Sequence, residues 1–310
     1  MLIYEDCRLS RKEVFIRSTQ TRLPLTRDLI HAIWRQMLVY FFVSGVYWLR
    51  LAGRRRPKLT IGFYPSKPKP WYKIWNVTKY LGLKYSEDVT DCDILFYFED
   101  KTYSRLATDY IGLPGKTTLN AWAHDIRKDK VARVFEEVFG YGLSVDPRRH
   151  RGPAVRKSVE NGAHDGRVVI CPIDEPEPGA VYQHLINNSY DGETVQDIRV
   201  PIIGERIPLV YIKERRIENR FANENTRCFL QRTDDALTDR EQERLFLMAR
   251  RMGVDFGGFD VLRERSTGRI YVVDVNKTCM GPPVPLPFLD KVWAIHRLGQ
   301  AFLELVEDRA

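Results

Sequence analysis

Asp260-Val261-Leu262, a polar turn at Ser266-Thr267-Gly268, the run Tyr271-Val272-Val273-Asp274-Val275-Asn276 and the bend Gly281-Pro282-Pro283 form the stretch that decides the fold. Val261, Ile270, Val272, Val273 and Val275 give the two runs strand character. The turn chemistry between them makes the segment a β-hairpin. Side chains alternate along a strand, so Asp274 and Asn276, two apart, share a face. Asp260 starts the partner strand, and pairing across the turn brings its carboxylate beside them. Two carboxylates and an amide oxygen are hard donors of the kind magnesium takes, with water and substrate phosphate completing its octahedron. The competing reading is turn chemistry, in which Asp and Asn bond their own backbone. Asn276 in an otherwise apolar run tilts toward the metal, because a buried amide and carboxylate need partners.

Upstream of the hairpin, Leu237-Thr238-Asp239 opens a helix through Met252, with Leu245, Phe246, Met248 and Ala249 along one face and Gly253 as its stop. Before it, Asp197-Ile198-Arg199-Val200-Pro201-Ile202-Ile203-Gly204 reads as a strand with Asp197 and Arg199 on one face, turning at Gly204-Glu205 into a strand from Ile207 to Ile212. An arginine on a sheet face suits the γ-phosphate of a nucleotide, and a surface arginine is the plain alternative. Val181-Tyr182-Gln183-His184-Leu185-Ile186 is a short strand. Residues 154–159 and 168–171 form a hairpin around Glu160-Asn161-Gly162-Ala163-His164-Asp165-Gly166. Glycines let backbone N–H groups approach an anion, and Lys157 on the adjoining strand adds a fixed charge; a flexible turn explains the same residues. Residues 129–139 are an amphipathic helix ended by Gly140.

Earlier still, Leu59 to Tyr64 and Asp93 to Phe98 are strands and Trp71 to Leu81 is a helix, a small α/β unit. Its Pro65-Ser66-Lys67-Pro68-Lys69-Pro70 loop offers Lys67 and Lys69 as weak site candidates. The region before Pro57 differs in kind. Residues 29–51 are rich in Ile, Leu, Val, Phe, Tyr and Trp and lead into Arg54-Arg55-Arg56-Pro57-Lys58. The longest uncharged stretch, Met37 to Leu49, has thirteen residues. That falls short of the roughly 20 needed to cross a bilayer. It also begins too far from Met1 for a signal peptide. Two readings stand: a helix packed on the body, or a helix in the membrane interface with its basic end on anionic lipid.

Composition bounds the function classes. The 310 residues allow two or three domains, and 44% hydrophobic with 29% charged residues are ordinary for a globular chain. A net charge of +8 suits an anionic partner such as ATP phosphates, an acidic substrate or lipid head groups. No zinc-finger spacing and no arginine-rich aromatic array is present, so no nucleic-acid partner is expected. Cysteines 7, 92, 171, 228 and 279 are scattered and odd in number, which fits a reducing cytoplasm.

The order of these elements resembles the ATP-grasp superfamily, nearest to its carboxylate-amine ligases of the glutathione-synthetase and ribosomal-protein glutamate-ligase kind. The likeness runs from about Leu59 to Pro287. Its most specific parts are Asp197-Ile198-Arg199-Val200 with Gly204, and Gly253-Val254-Asp255-Phe256-Gly257-Gly258-Phe259-Asp260 through Asn276. The resemblance implies an α+β ATP-grasp fold, two subdomains gripping ATP, behind a small α/β domain. Residues 1–57 are then an N-terminal helical extension, possible membrane contact falling to 29–58. Residues 58–119 form the preceding domain and 120–310 the ATP-grasp domain, divided into 120–190 with the phosphate loop and 191–310 with the metal site.

By the same resemblance, Lys130 and Lys157 are the nucleotide lysines, and Asn161, Gly162 and Gly166 belong to the loop over the phosphates. Gln183, His184, Leu185 and Ile186 contact adenine, and Arg199 and Lys157 act on the transferred phosphoryl group. Asp260, Asp274 and Asn276 hold magnesium, expected as two ions with manganese as a substitute. Arg220 and Arg227 are weak candidates for a substrate carboxylate or phosphate, by the bidentate habit of arginine. The chain departs from the family pattern at Asp274, usually Glu, at His184, usually acidic, and at Lys277-Thr278-Cys279-Met280-Gly281-Pro282. Nothing in the pattern accounts for residues 1–57.

The implied reaction is phosphoryl transfer to a carboxylate, then attack on the acyl phosphate by an amine or other nucleophile. The acceptor is a small molecule, glycan or peptide. Alternatives are a kinase acting on a sugar or polyol hydroxyl, and a nucleotide-binding module without turnover. The expected setting is cytoplasmic, with a peripheral place at the inner face of a membrane as the second reading. Acceptor identity and oligomeric state stay open.

Overall fold

The computed structural model describes residues 7–10, 13–16, 21–24, 26–53, 58–106, 110–113, 115–163, 165–222 and 225–309. The chain begins with an antiparallel sheet of β1 (Cys7–Leu9), β2 (Glu13–Ile16) and β3 (Thr21–Pro24). The helical extension expected over 1–57 is therefore a strand meander followed by one helix, α1 (Arg27–Ala52). Thr26 caps α1 by accepting the Leu29 N–H at 3.1 Å. The basic run at 54–56 lies outside the described residues.

The small α/β unit forms as its periodicity predicts. Strands β4 (Thr60–Pro65), β5 (Lys84–Tyr85), β6 (Ile94–Phe98) and β7 (Thr117–Leu119) make a parallel sheet in the order β5-β4-β6-β7, with α2 (Lys73–Leu81) crossing between β4 and β5. Gly82 takes the left-handed conformation (φ 76°) that ends α2. Ile61, Phe63, Ile94 and Phe96 pack with Leu298, Phe302 and Leu305 of the last helix, α6 (Phe288–Glu307). The end of the chain thus completes the core of the first domain. It also packs on the larger antiparallel sheet that follows in the chain, Ala294 with Leu209, Tyr211 and Cys228, and Phe302 edge-on to Phe256 at 6.0 Å, so α6 joins the two parts.

Two antiparallel sheets follow. The smaller joins β8 (Gly152–Ser158), β9 (Arg167–Cys171) and β10 (Ala180–His184) in the order β10-β8-β9. The larger joins β11 (Thr194–Ile203), β12 (Val210–Arg216), β13 (Arg227–Gln231), β14 (Phe256–Arg263) and β15 (Ile270–Asn276) in the order β13-β12-β11-β14-β15. Helices α3 (Lys128–Phe139) and α5 (Asp239–Met252) cover one face of the larger sheet; the short α4 (Thr233–Ala236) precedes α5. Val131, Phe135, Leu245 and Met248 meet Val200, Phe259, Val261, Val272 and Val275 there. Although α3 precedes the phosphate-loop hairpin in sequence, its apolar face belongs to the second sheet's core. Alternation then sends Asp197, Arg199, Lys213, Asp260, Asp274 and Asn276 to the other face.

Candidate functional site

The uncovered face of the larger sheet is the floor of the site, and strand register assembles it. Arg199 stands opposite Tyr211 on one side and Asp260 on the other, Asp197 opposite Lys213, and Asp260 opposite Asp274. Asp260 lies within β14, which starts at Phe256, so it is an interior strand residue; a register irregularity falls between it and Val261. Arg199 Nε lies 2.5 Å from Asp260 Oδ1, Lys213 Nζ 3.4 Å from the same oxygen, and Arg215 Nη2 donates to Asp197 Oδ2 at 2.5 Å. Burial raises carboxyl pKa values, yet Arg199 and Lys213 outweigh it and hold Asp260 below its ordinary range. Asp274 goes the other way. Burial, with the Asp260 charge beside it, pushes it up to about 6. Among the described residues no cation comes within ion-pair distance of Asp274, whose Oδ1 accepts the Val275 N–H at 3.1 Å.

The smaller sheet is the roof. Lys157 and Gln183 lie on one of its faces, since Val155 is opposite Gln183 and two residues from Lys157. The Lys157 ammonium is pulled below the ordinary lysine range by burial, against the attraction of Asp274 and the charges of Asp197 and Asp260, so this face looks onto the floor. Gln183 is buried, and neither its Nε2 nor its Oε1 has a hydrogen-bond partner among the described residues. An amide presenting an unmet donor and acceptor suits a heterocycle such as adenine.

The glycine loop closes the cleft from the roof side. Asn161 Nδ2 donates to Asn276 Oδ1 at 2.9 Å, and its backbone N–H to Thr102 Oγ1 at 2.8 Å. Gly162 has φ 71°, which a side chain would strain. A Cβ on Gly166 would lie 2.9 Å from the Phe221 ring, so glycine permits the loop to meet the segment after β12. His164 lies outside the described residues.

Several expected site residues stand elsewhere. Lys130 faces Asp125, Arg127 and Arg133. The lysine of α3 that reaches the cleft is Lys128, two positions earlier: its Nζ donates to the Glu160 carbonyl, and its charge acts on Asp274. Helical geometry explains this, because two residues in a helix are about 200° apart. His184 points away from Gln183 and is exposed, its ring 5.6 Å from His150. Leu185 follows the strand, and the Ile186 side chain is in the core while its carbonyl accepts from Arg220 Nη2 at 2.6 Å. Arg220 also donates to Asn188 Oδ1, so it braces the segment between β10 and β11. Arg227 is on β13, exposed, 3.7 Å from Glu214. Lys67 pairs with Glu87.

Four residues at the site carry no local sequence signal. Lys213 and Arg215 arrive from β12. Lys73 arrives from α2 of the first domain, with Nζ 4.6 Å from the Tyr211 ring centre; burial lowers its pKa to about 8. Asn120 is the strut between domains. In the left-handed conformation (φ 57°), it accepts from the Asp255 and Phe256 N–H groups at 2.8 and 2.9 Å and donates to the Phe256 carbonyl at 2.8 Å. It thereby ties the end of β7 to the start of β14. Beside it opens a cavity of about 560 Å³ at the C-terminal ends of β4 and β6, lined in part by Tyr64, Tyr97, Ser104, Arg105, His124 and Lys277.

No protein-family model and no curated protein sequence matches the chain. Solved structures do. One of the ATP-grasp ligase PsnB complexed with minimal precursor aligns at TM-score 0.52 and 12% identity, covering 79% of this chain and 98% of that one. PsnB complexed with a phosphomimetic variant of minimal precursor, Mg and ADP aligns at 0.51 and 12%, covering 81% and 99%. PsnB with precursor peptide PsnA2 and AMPPNP aligns at 0.50 and 13%, covering 80% and 96%. Likeness at such identity concerns architecture alone. The chain has the α+β ATP-grasp fold, preceded by a small α/β domain.

Proposed function

We propose that the protein is an ATP- and magnesium-dependent ligase that activates a substrate carboxylate as an acyl phosphate for attack by an amine. The observation that carries this reading is the facing of two charge sets across one cleft: Lys128 and Lys157 on one side, Asp260, Asp274 and Asn276 with Arg199, Lys213 and Lys73 on the other. Two adjacent half-buried carboxylates, one of them without an ion-pair partner among the described residues, fit a divalent cation, and their hard oxygens fit magnesium. Among the described residues no group of three His, Cys, Asp or Glu side chains is placed to hold a metal ion, so a bound ion would take phosphate and water to complete its shell. We assign two ions here, with manganese as a substitute. Bound magnesium supplies neutralisation of phosphate charge, and the rest is done by the chain.

Gln183 receives the base, and Lys128 and Lys157 hold the phosphates under the loop of Asn161 and Gly162. A carboxylate oxygen attacks the γ-phosphorus, the bond from that phosphorus to the β–γ bridging oxygen breaks, and ADP leaves. Arg199, Lys213 and Lys73 stabilise the negative charge as it spreads. The amine nitrogen then attacks the acyl carbon and inorganic phosphate leaves, taking up the amine proton. Positioning and charge suffice, without a side-chain nucleophile.

The cavity beside Asn120 is where the acceptor enters, since ligands in parallel sheets sit at the carboxyl ends of strands. Its Lys277, which donates to Ser104 Oγ at 2.6 Å, and Arg105 suit an anionic acceptor. The PsnB structures hold precursor or peptide, which supports a peptide as the acceptor class. ATP as substrate and buried free thiols at Cys92, Cys171, Cys228 and Cys279 support a cytoplasmic setting.

The test is ADP release with magnesium across peptide and amine acceptors, with hydroxylamine as a trap. A hydroxamate and, with the right acceptor, a new amide are expected. A phosphorylated product that resists hydroxylamine would identify hydroxyl phosphorylation and overturn the ligase reading.

A further inference from the structure

Helix α1 has no place in the ATP cleft, and its surface is unlike the rest of the molecule. Its inner side is docked: Val39 and Val43 are fully buried with Trp75 and Ile295, and Tyr40 stacks on Trp75 at 5.4 Å. Its outer side is also apolar. Trp34, Leu38, Phe41, Trp48 and Leu49 are 63, 52, 58, 67 and 74% exposed, and their spacing with Gly45 and Ala52 puts them on one stripe. A helix apolar all round is normally covered all round. The two tryptophans and the phenylalanine alone expose roughly 400 Å², taking about 150–250 Å² per ring side chain. With the leucines added, the stripe reaches the upper end of the largest apolar patches on soluble monomers, about 300–600 Å².

The patch extends past α1. Phe42 meets Phe288 of α6 edge-to-face at 5.8 Å, and Leu289 and Trp293 beyond it are exposed as well. Arg27 and Arg35 lie toward the start of α1, Arg50 near its end sets its guanidinium over the Tyr80 ring at 5.1 Å, and in sequence Arg54, Arg55, Arg56 and Lys58 come next. By length and composition the stretch Leu29–Ala52 could cross a membrane, which the thirteen-residue uncharged core did not suggest. Packing decides otherwise. A helix whose inner face is buried against α2 and α6 of a charged domain has only its outer face to offer a bilayer.

We propose that the outer face of α1, with the start of α6, docks the protein in-plane on an anionic membrane surface. Tryptophans near both ends of the stripe suit the headgroup layer, and the flanking arginines suit anionic lipid. A second copy of the chain fits less well. Each copy brings the same net charge of +8 and the same cations beside the stripe, which disfavours a two-fold pairing there.

The test is co-sedimentation of the full chain with vesicles of phosphatidylcholine alone or mixed with phosphatidylserine, at low and high salt. Expected is salt-sensitive binding to the mixed vesicles, with a blue shift of tryptophan emission. The double variant Trp34→Glu/Phe41→Glu should lose at least tenfold in binding while keeping ATP turnover and its melting temperature. Leu38→Glu serves as a second, single change. The idea fails if wild type ignores both vesicles, or if the variants bind as wild type does. It also fails if the variants instead break a concentration-dependent dimer, which would make the stripe a self-interface.

Discussion

The two walls of the cleft are built on opposite principles. On the floor, charge is matched by charge: Asp260 is held by Arg199 and Lys213, and Asp197 by Arg215. On the roof, Gln183 is buried with both amide ends unmet, and the Asn161 loop leans across to the floor for a hydrogen bond. The floor is therefore prearranged for phosphate and metal, whereas the roof is completed by a ligand. The difference teaches that stability and binding should separate on the roof and travel together on most of the floor. Asp274 is the exception on the floor, a carboxylate with no ion-pair cation among the described residues.

The comparison breaks first at Asp260 and Asp274. Asp274→Ala should lower turnover by about a thousandfold or more while leaving the melting temperature within a few degrees, because no buried cation is orphaned. Asp260→Ala should lose activity and also about 3 kcal/mol of stability, read by denaturant titration, because the half-buried Arg199 and Lys213 are left uncompensated. Equal stability losses would erase the distinction. Next in size, Arg199→Lys should lower kcat about a hundredfold with little change in KM for ATP, since a point charge replaces a planar fork acting on the transferred phosphoryl group.

At the start of α3 and on the roof the effects are smaller and split in sign. Lys128→Ala should weaken nucleotide binding about tenfold by calorimetry, and Lys130→Ala less than about twofold. A reversed order would return the nucleotide lysine to position 130. Gln183→Leu should cost about tenfold in ATP affinity while leaving the free protein as stable or about 1 kcal/mol more stable, since an unmet buried amide is removed. A loss of stability in that variant would mean the amide is satisfied in the free protein.

Much of this was legible because it is local. The alternation of Val272 to Asn276 puts Asp274 and Asn276 on one face, and Asp197-Ile198-Arg199 does the same for its strand. Gly140 and Gly253 stop their helices in the left-handed conformation, and Thr238 with Glu241 forms a capping box. What the sequence does not reach depends on rotation or distance. Lys130 and Lys128 differ by two positions on one helix, and only packing says which side faces the cleft. Arg220 and Arg227 look equally free in sequence. One reaches back across 34 residues to the Ile186 carbonyl, and the other sits outward on a strand.

By itself, the sequence determined the elements, their order and the donor types, because periodicity, turn residues and side-chain chemistry act within a few residues. Only the tertiary structure decided which charges meet. Lys73 comes from another domain, Lys213 across a strand pair, and Asn120 ties strands 135 residues apart. Those meetings come from sheet register and from the burial of α6 against the first domain. Long-range packing sets both, and no short stretch of chain encodes it.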